Sequence, residues 1–247
     1  MKVVLFANTE WYLYNFRRSL AMALREGGHE VLLISPPGPY GEKLCALGLR
    51  WLPAPMARRS LHPLRELVLL GWLYRLFQRE RVDLVHGFTI KCAVYGSLAA
   101  RLARIPGRVN AVTGMGYVFT SNELTACLLR PLVRALLRLA LGGRGARLIL
   151  QNPDDVAFFQ QARLVDAAAV RRIPGSGVDC TRFIPGNGRI TDEPLRVLLA
   201  ARLLWDKGLA EYVAAARILR GQGRSIRFLL AGNPDPGNPA AVPEATV

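Results

Sequence analysis

Short apolar runs alternate with longer segments of helical period along this chain. Residues 3–7 form the first run, closed by Asn8 and Thr9, and read as a buried strand. Phe16, Leu20, Ala23 and Leu24 share one face of a helix over 16–25, which Gly27 and Gly28 stop. Residues 30–35 follow with Val31, Leu32, Leu33 and Ile34 all apolar, as expected of a parallel strand covered on both faces. The same reading predicts helices over 61–81, 92–104, 124–141 and 154–161 and strands over 82–86, 108–113 and 147–151. Strands alternating with helices of this length make βαβ units, whose right-handed crossovers put helices on both faces of a parallel sheet.

From Pro174 the character changes. Pro174, Gly175, Gly177, Pro185, Gly186, Gly188 and Pro194 punctuate a stretch with little periodicity, read as an interdomain linker over 175–194. A strand over 195–200, a helix over 209–219 and a strand over 226–231 then make one further βαβ unit. The 53 residues after the linker fall short of the ~100 a domain commonly needs. The fold class is therefore α/β: a Rossmann-like doubly wound parallel sheet over 1–174, and an incomplete second Rossmann-like domain over 195–247.

Composition narrows the picture. A hydrophobic share of 51% supports a packed core and argues against disorder. The net charge of +15 favours polyanions: nucleic acid, anionic lipid or phosphorylated substrates. A bland arginine-rich composition accounts for it equally well, and the charge is spread without a dense basic tail. No nucleic-acid motif accompanies it, so nucleic acid is not expected as a partner. Cys45, Cys92, Cys127 and Cys180 form no Cys-x-x-Cys pair and no metal spacing with His29, His62 or His86. They read as small apolar residues in a reducing compartment, with no metal site. No signal peptide and no apolar run of membrane-spanning length is visible, which suggests a cytoplasmic chain.

Ligands of open parallel sheets bind at the carboxyl ends of strands, so the turns there carry the candidate chemistry. Asn8-Thr9-Glu10 lacks the Gly-x-Gly-x-x-Gly of a dinucleotide site; its short polar side chains suit sugar hydroxyls, or simply cap a helix. Thr113-Gly114-Met115-Gly116-Tyr117 combines glycines that allow close approach with Tyr117 and Phe119 for stacking, or is a turn with two core aromatics. Gly175-Ser176-Gly177-Val178-Asp179 permits positive φ where the chain leaves the first domain, as a linker or beside a site. The segment Arg202 to Gly208 is the most informative. Arg202 ends a strand, Asp206 is placed as helix N-cap, and Lys207 would fall in the first helical turn. A Lys there opposes the helix dipole, but beside free N–H groups it completes a diphosphate clamp.

These residues resemble family 4 glycosyltransferases. Ser176-Gly177-Val178-Asp179 with Phe183 and Pro185 matches the family's Asn-Gly-Val-Asp-x-x-x-Phe-x-Pro linker, with Ser176 replacing Asn. Arg202 to Gly208 matches its Arg-Leu-x-x-x-Lys-Gly motif. Leu150-Gln151-Asn152 resembles the segment after the sixth strand. Asn8 through Arg18, and Gly87-Phe88-Thr89-Ile90-Lys91, resemble the subgroup that extends polyprenyl-diphosphate-linked glycans.

The resemblance implies a GT-B fold and a retaining transferase moving a sugar from a nucleotide-sugar donor, UDP-linked, to a glycan or lipid-linked acceptor in cell-surface polysaccharide synthesis. It implies no cofactor and no metal. Residues 1–174 would be the acceptor side, with Asn8, Thr9, Lys91, Thr113, Gly114 and Tyr117 in the cleft. Gly177 and Asp179 would line it from the linker. Residues 195–247 would start the donor side, with Arg202, Lys207 and Gly208 on the diphosphate.

Two departures stand out. The family's Glu-x7-Glu is missing, and Thr113-Gly114 occupies the place of its His, so catalytic residues stay unassigned and His86 reads as structural or acceptor-side. This chain is expected to be inactive alone; the alternative is a non-catalytic acceptor-binding subunit. A helix over 124–141 with Arg130, Arg134 and Arg138 on one face reads either as a core helix whose arginine heads reach solvent or as one lying on an anionic membrane surface as partner, at the inner face of the membrane.

Overall fold

The computed structural model describes residues 1–58, 60, 62–112, 124–186, 194–235, 238, 240–243 and 246, with 124–129 by their backbone. The chain divides into two units, Met1–Phe183 and Ile184–Val247.

In the first unit, β1 (Lys2–Phe6) leads through α1 (Glu10–Tyr12), a π-helical turn (Leu13–Arg17) and α2 (Arg18–Glu26) to β2 (Glu30–Ser35). After α3 (Tyr40–Ala46) and β3 (Arg50–Pro53) come α4 (Pro63–Glu80), β4 (Leu84–Phe88), α5 (Ile90–Leu102) and β5 (Gly107–Val112). The helix α6 (Leu124–Leu141), β6 (Ala146–Leu150), α7 (Pro153–Gln161) and β7 (Val170–Arg172) complete it. The seven strands run in the order β3-β2-β1-β4-β5-β6-β7, every pairing parallel.

Side chains alternate across a strand, so the two faces of β1 enter two different cores. Val4 and Phe6 pack with Leu32 and Ile34 under Leu69, Leu73 and Phe77 of α4. Val3 and Leu5 pack with Leu33, Leu13, Ala21 of α2 and Leu44 of α3. A third core joins Leu148 and Leu150 to Leu137, Ala140 and Leu141 of α6 and to Phe159 of α7. Both faces are thus covered, which is why the strands read as unbroken apolar runs.

The expected doubly wound sheet is present, with local differences. Arg81 ends α4 in the left-handed conformation and Asp83 accepts from the Lys2 amide at 2.7 Å. Those tethers delay the strand expected at 82–86 to Leu84–Phe88, so Gly87 and Phe88 are strand residues. The helix expected over 16–25 begins at Glu10, and the π turn rotates Phe16 out to the surface against Trp11 and Tyr12. The short elements α3, β3 and β7 are not foreshadowed by the hydrophobic pattern.

The second unit holds β8 (Leu195–Ala200), a 3-10 turn (Trp205–Lys207), α8 (Leu209–Gly221) and β9 (Ile226–Ala231). The two strands pair in parallel. The Tyr212 hydroxyl of α8 accepts from Leu229 N at 3.0 Å and lies 2.9 Å from Val197 O and 2.7 Å from Leu229 O, one of which takes its proton, fixing the helix on the sheet. Leu195, Leu198 and Leu230 remain exposed.

Candidate functional site

In the first unit the order reverses between β1 and β4, the switch point where open α/β sheets bind ligands. Asn8 and Thr9 leave the carboxyl end of β1. Thr9 caps α1, its hydroxyl accepting from Tyr12 N at 3.1 Å. Glu10 is buried, and its carboxylate occupies the space where a side chain at Gly38, after β2, would sit.

Arg17 stands at the break between the π turn and α2, at φ −126° and ψ 0°. Its guanidinium carbon lies 4.5 Å from the Phe88 ring centroid and 5.3 Å from that of Tyr12, and Nη2 donates to the Tyr12 hydroxyl at 2.7 Å. The His86 and Phe88 rings are 4.2 Å apart. Burial, and secondarily the Arg17 charge, pull the His86 pKa down to about 3, so its imidazole is neutral. At the carboxyl end of β4, Thr89 takes a positive φ of 72°, uncommon for a threonine, before α5 starts. Burial lifts the Cys92 thiol to about 12, so it is no nucleophile.

Lys91, expected in the cleft, spends its ammonium on the chain itself. It donates to Ala57 O at 2.9 Å, Ser60 O at 2.8 Å and Glu66 Oε1 at 2.7 Å. Thr113, Gly114 and Tyr117 lie outside the described residues. At the end of the unit Gly175 and Gly177 have φ of 103° and 75°, conformations that favour glycine. Asp179 accepts from the Thr181 amide and hydroxyl at 3.0 and 2.7 Å, bonds that hold its carboxyl below the usual range.

In the second unit Arg202 follows β8 and donates to Asp235 Oδ2 at 2.7 Å. Asp206 is not the N-cap of the helix. The segment Trp205–Lys207 closes a 3-10 turn, Gly208 at φ 77° caps α8, and Lys207 precedes the helix instead of occupying its first turn. Gly208 is needed because the chain turns left-handed between the two helical segments. Lys207 is exposed beside the free N–H groups of that helix start.

The sequence pattern alone does not bring Arg17, Tyr12 and Phe88 together. The signal available was the polar-aromatic run Trp11 to Arg18 straight after a strand. Among the described residues no group of three or more His, Cys, Asp or Glu is placed to hold a metal.

A family model described as "Glycosyl transferase 4-like" matches residues 2–152. The chain belongs to that family. Among curated relatives it is similar to the N,N'-diacetylbacillosaminyl-diphospho-undecaprenol alpha-1,3-N-acetylgalactosaminyltransferase of Campylobacter jejuni, 27% identical over 95% of this chain and 64% of that protein. It is also 29% identical to the UDP-Gal:alpha-D-GlcNAc-diphosphoundecaprenol alpha-1,3-galactosyltransferase of Escherichia coli, over 53% of this chain and 32% of that protein. The chain thus spans less than two thirds of either relative. A solved glycosyltransferase from Rickettsia africae shares the fold at a TM-score of 0.65 and 16% identity, over 94% of this chain and 60% of that one. The lipopolysaccharide outer core galactosyltransferase WaaB shares it at 0.60 and 10%, over 94% and 68%. The glycosyl transferase 4-like match lies wholly within the first unit, the part that carries Arg17, His86 and Thr89.

Proposed function

We propose that this chain forms part of a retaining glycosyltransferase that moves a sugar from a UDP-linked donor to a polyprenyl-diphosphate-linked glycan, in cell-surface polysaccharide synthesis. The observation that carries the reading is the likeness along 95% of the chain to an enzyme whose name specifies a diphospho-undecaprenol acceptor. The E. coli relative's name specifies the same lipid carrier. The first unit would hold the acceptor at the β1–β4 switch point. The second would hold the donor diphosphate at Lys207, Gly208 and the start of α8. Arg202 would have to exchange its Asp235 partner for phosphate, a swap between two anionic acceptors.

A lipid-linked acceptor calls for a membrane surface. The outer side of α4 exposes Leu64, Leu67 and Val68 around Arg65, apolar anchors with a cationic neighbour. On α6, Leu132 and Leu139 are exposed with Arg134 and Arg138, but Arg138 donates to Ala162 O and Arg163 O and so is partly committed to the fold. Both helices would lie in the interface. Among the described residues no helix is long and apolar enough to cross a membrane.

The test is transfer by the full-length protein, using labelled UDP-sugars and a short-chain polyprenyl-diphosphate-linked sugar. Label in the lipid product with the anomeric configuration of the donor supports the proposal. Label appearing in no lipid product, or an inverted product, overturns the corresponding part of it.

A further inference from the structure

Arg17 is an unusual arginine. It sits where a π turn breaks into an α-helix, a geometry that frequently marks functional sites. Phe88 and Tyr12 fix its plane, and the Tyr12 hydroxyl takes one of its five hydrogens. Its Nε is enclosed with no hydrogen-bond partner. Among the described residues no carboxylate pairs with it.

His86 Nε2, in the middle of β4, is likewise enclosed without a hydrogen-bond partner, and Thr89 Oγ1, just after the strand, has the weakly bonding Cys92 thiol as its neighbour. Leaving a buried polar group unpaired is costly, and more so when it is charged. Such groups, gathered along β4 and at its carboxyl end where the 13-residue helix α5 starts, make a polar seat suited to a ligand with acceptor oxygens.

The charge of the seat defines that occupant. The imidazole is neutral, the Lys91 ammonium is bound to Glu66, and among the described residues of the seat Arg17 contributes the positive charge without a carboxylate partner. An anion with several acceptor oxygens satisfies a guanidinium, a hydroxyl and helix N–H groups together. We propose that Arg17, with Thr89 and the start of α5, binds a phosphoryl group of the acceptor's diphosphate, and so anchors the lipid-linked substrate by its invariant anionic part. The inference rests on the functional reading above. It singles out the acceptor because the seat lies in the first unit, and because both relatives' names combine different sugars with the same diphosphate link.

The experiment uses the full-length protein, a saturating UDP-sugar and two acceptors bearing the same sugar. One is linked to a short polyprenol through diphosphate, the other is an octyl glycoside. Arg17→Met keeps the apolar stem and removes the charge. It should raise KM for the diphosphate acceptor about 10- to 150-fold, the range of a charge-assisted bond, and leave KM for the glycoside and the donor unchanged. Arg17→Lys should fall between.

An unchanged KM for the diphosphate acceptor overturns the proposal, as does an equal loss on both acceptors or a rise in donor KM. Wild-type protein that uses neither acceptor overturns the functional reading, and this one with it; normal wild-type transfer with an unaffected Arg17→Met sinks the Arg17 proposal alone. A second measurement needs no variant. Dicarbonyl labelling of wild-type arginines, with and without geranylgeranyl diphosphate, should show Arg17 protected, and an unprotected Arg17 counts against the proposal.

Discussion

Arg50 and Glu80 meet in a two-pronged ion pair, Nη1 to Oε2 at 2.7 Å and Nη2 to Oε1 at 2.8 Å, tying β3 to the end of α4. Lys2 joins from β1, its ammonium 3.1 Å from Glu80 Oε2 and 2.8 Å from Glu30 Oε1. Hydrogen bonds from Arg50, then Lys2, hold the Glu80 carboxyl down to about 2. A depressed carboxyl stabilises the fold above its unfolded pKa, near 4.5, and loses that contribution as pH falls through about 2. Glu80→Gln should therefore lower stability at pH 7 by about 1–2 kcal/mol, discounted because Arg50 is half exposed, and the deficit should vanish near pH 2. Urea titrations at pH 7 and pH 2.5 check it; a deficit that does not shrink with pH rejects the assignment.

Lys91 and Glu66 should behave as a structural pair. Both side chains are mostly covered, and Lys91 also holds the carbonyls of Ala57 and Ser60. Lys91→Met strands a buried carboxylate and should cost about 3 kcal/mol; Lys91→Met with Glu66→Leu should regain most of it. Thermal melts of the two variants decide. A single variant with native stability and a raised acceptor KM would assign Lys91 to acceptor binding.

Gly41, in the first turn of α3, lies against the Trp51 ring, whose atoms fill the position of a Cβ. Trp51 cannot easily yield, since its indole donates to Ser35 Oγ at 2.9 Å. Gly41→Ala should destabilise by about 1–3 kcal/mol, with blue-shifted or broadened tryptophan fluorescence reporting the displaced ring. Native stability in that variant would place the ring elsewhere.

In the full-length protein Lys207→Ala should weaken UDP-sugar binding about 10- to 150-fold. Arg202→Ala should do less, because the wild-type residue must first leave Asp235. Calorimetry showing unchanged donor affinity in both variants removes the diphosphate clamp.

Much of the fold was legible because its strands are buried on both faces. An unbroken apolar run as short as Val31 to Ile34, set between a helix stop and a proline turn, fits a covered central strand and little else. The sheet edges carry no such signal. Residues 50–53 mix Arg, Trp, Leu and Pro and show no period, and β7 is Val-Arg-Arg. The switch-point group escaped for a different reason. A helix read at a uniform 3.6-residue period buries Phe16, but the π turn adds a residue, exposes Phe16 and sets Arg17 over Phe88. Lys207 was assigned by its motif, and the motif did not reveal that Gly208 turns left-handed and caps the helix two residues after Asp206.

The two outermost strands of the seven-stranded sheet have a consequence for how the chain keeps company with copies of itself. At one side β3 is four residues long and ends in Pro53; at the other β7 is three residues long, with Arg171 and Arg172 exposed. A passing strand finds too short a ladder, a residue with no N–H to give, and cationic side chains in its way. The first unit therefore carries its own gatekeepers against cross-chain pairing. In the second unit β8 and β9 are six residues each, with Leu198 and Leu230 exposed, and show no comparable guard among the described residues.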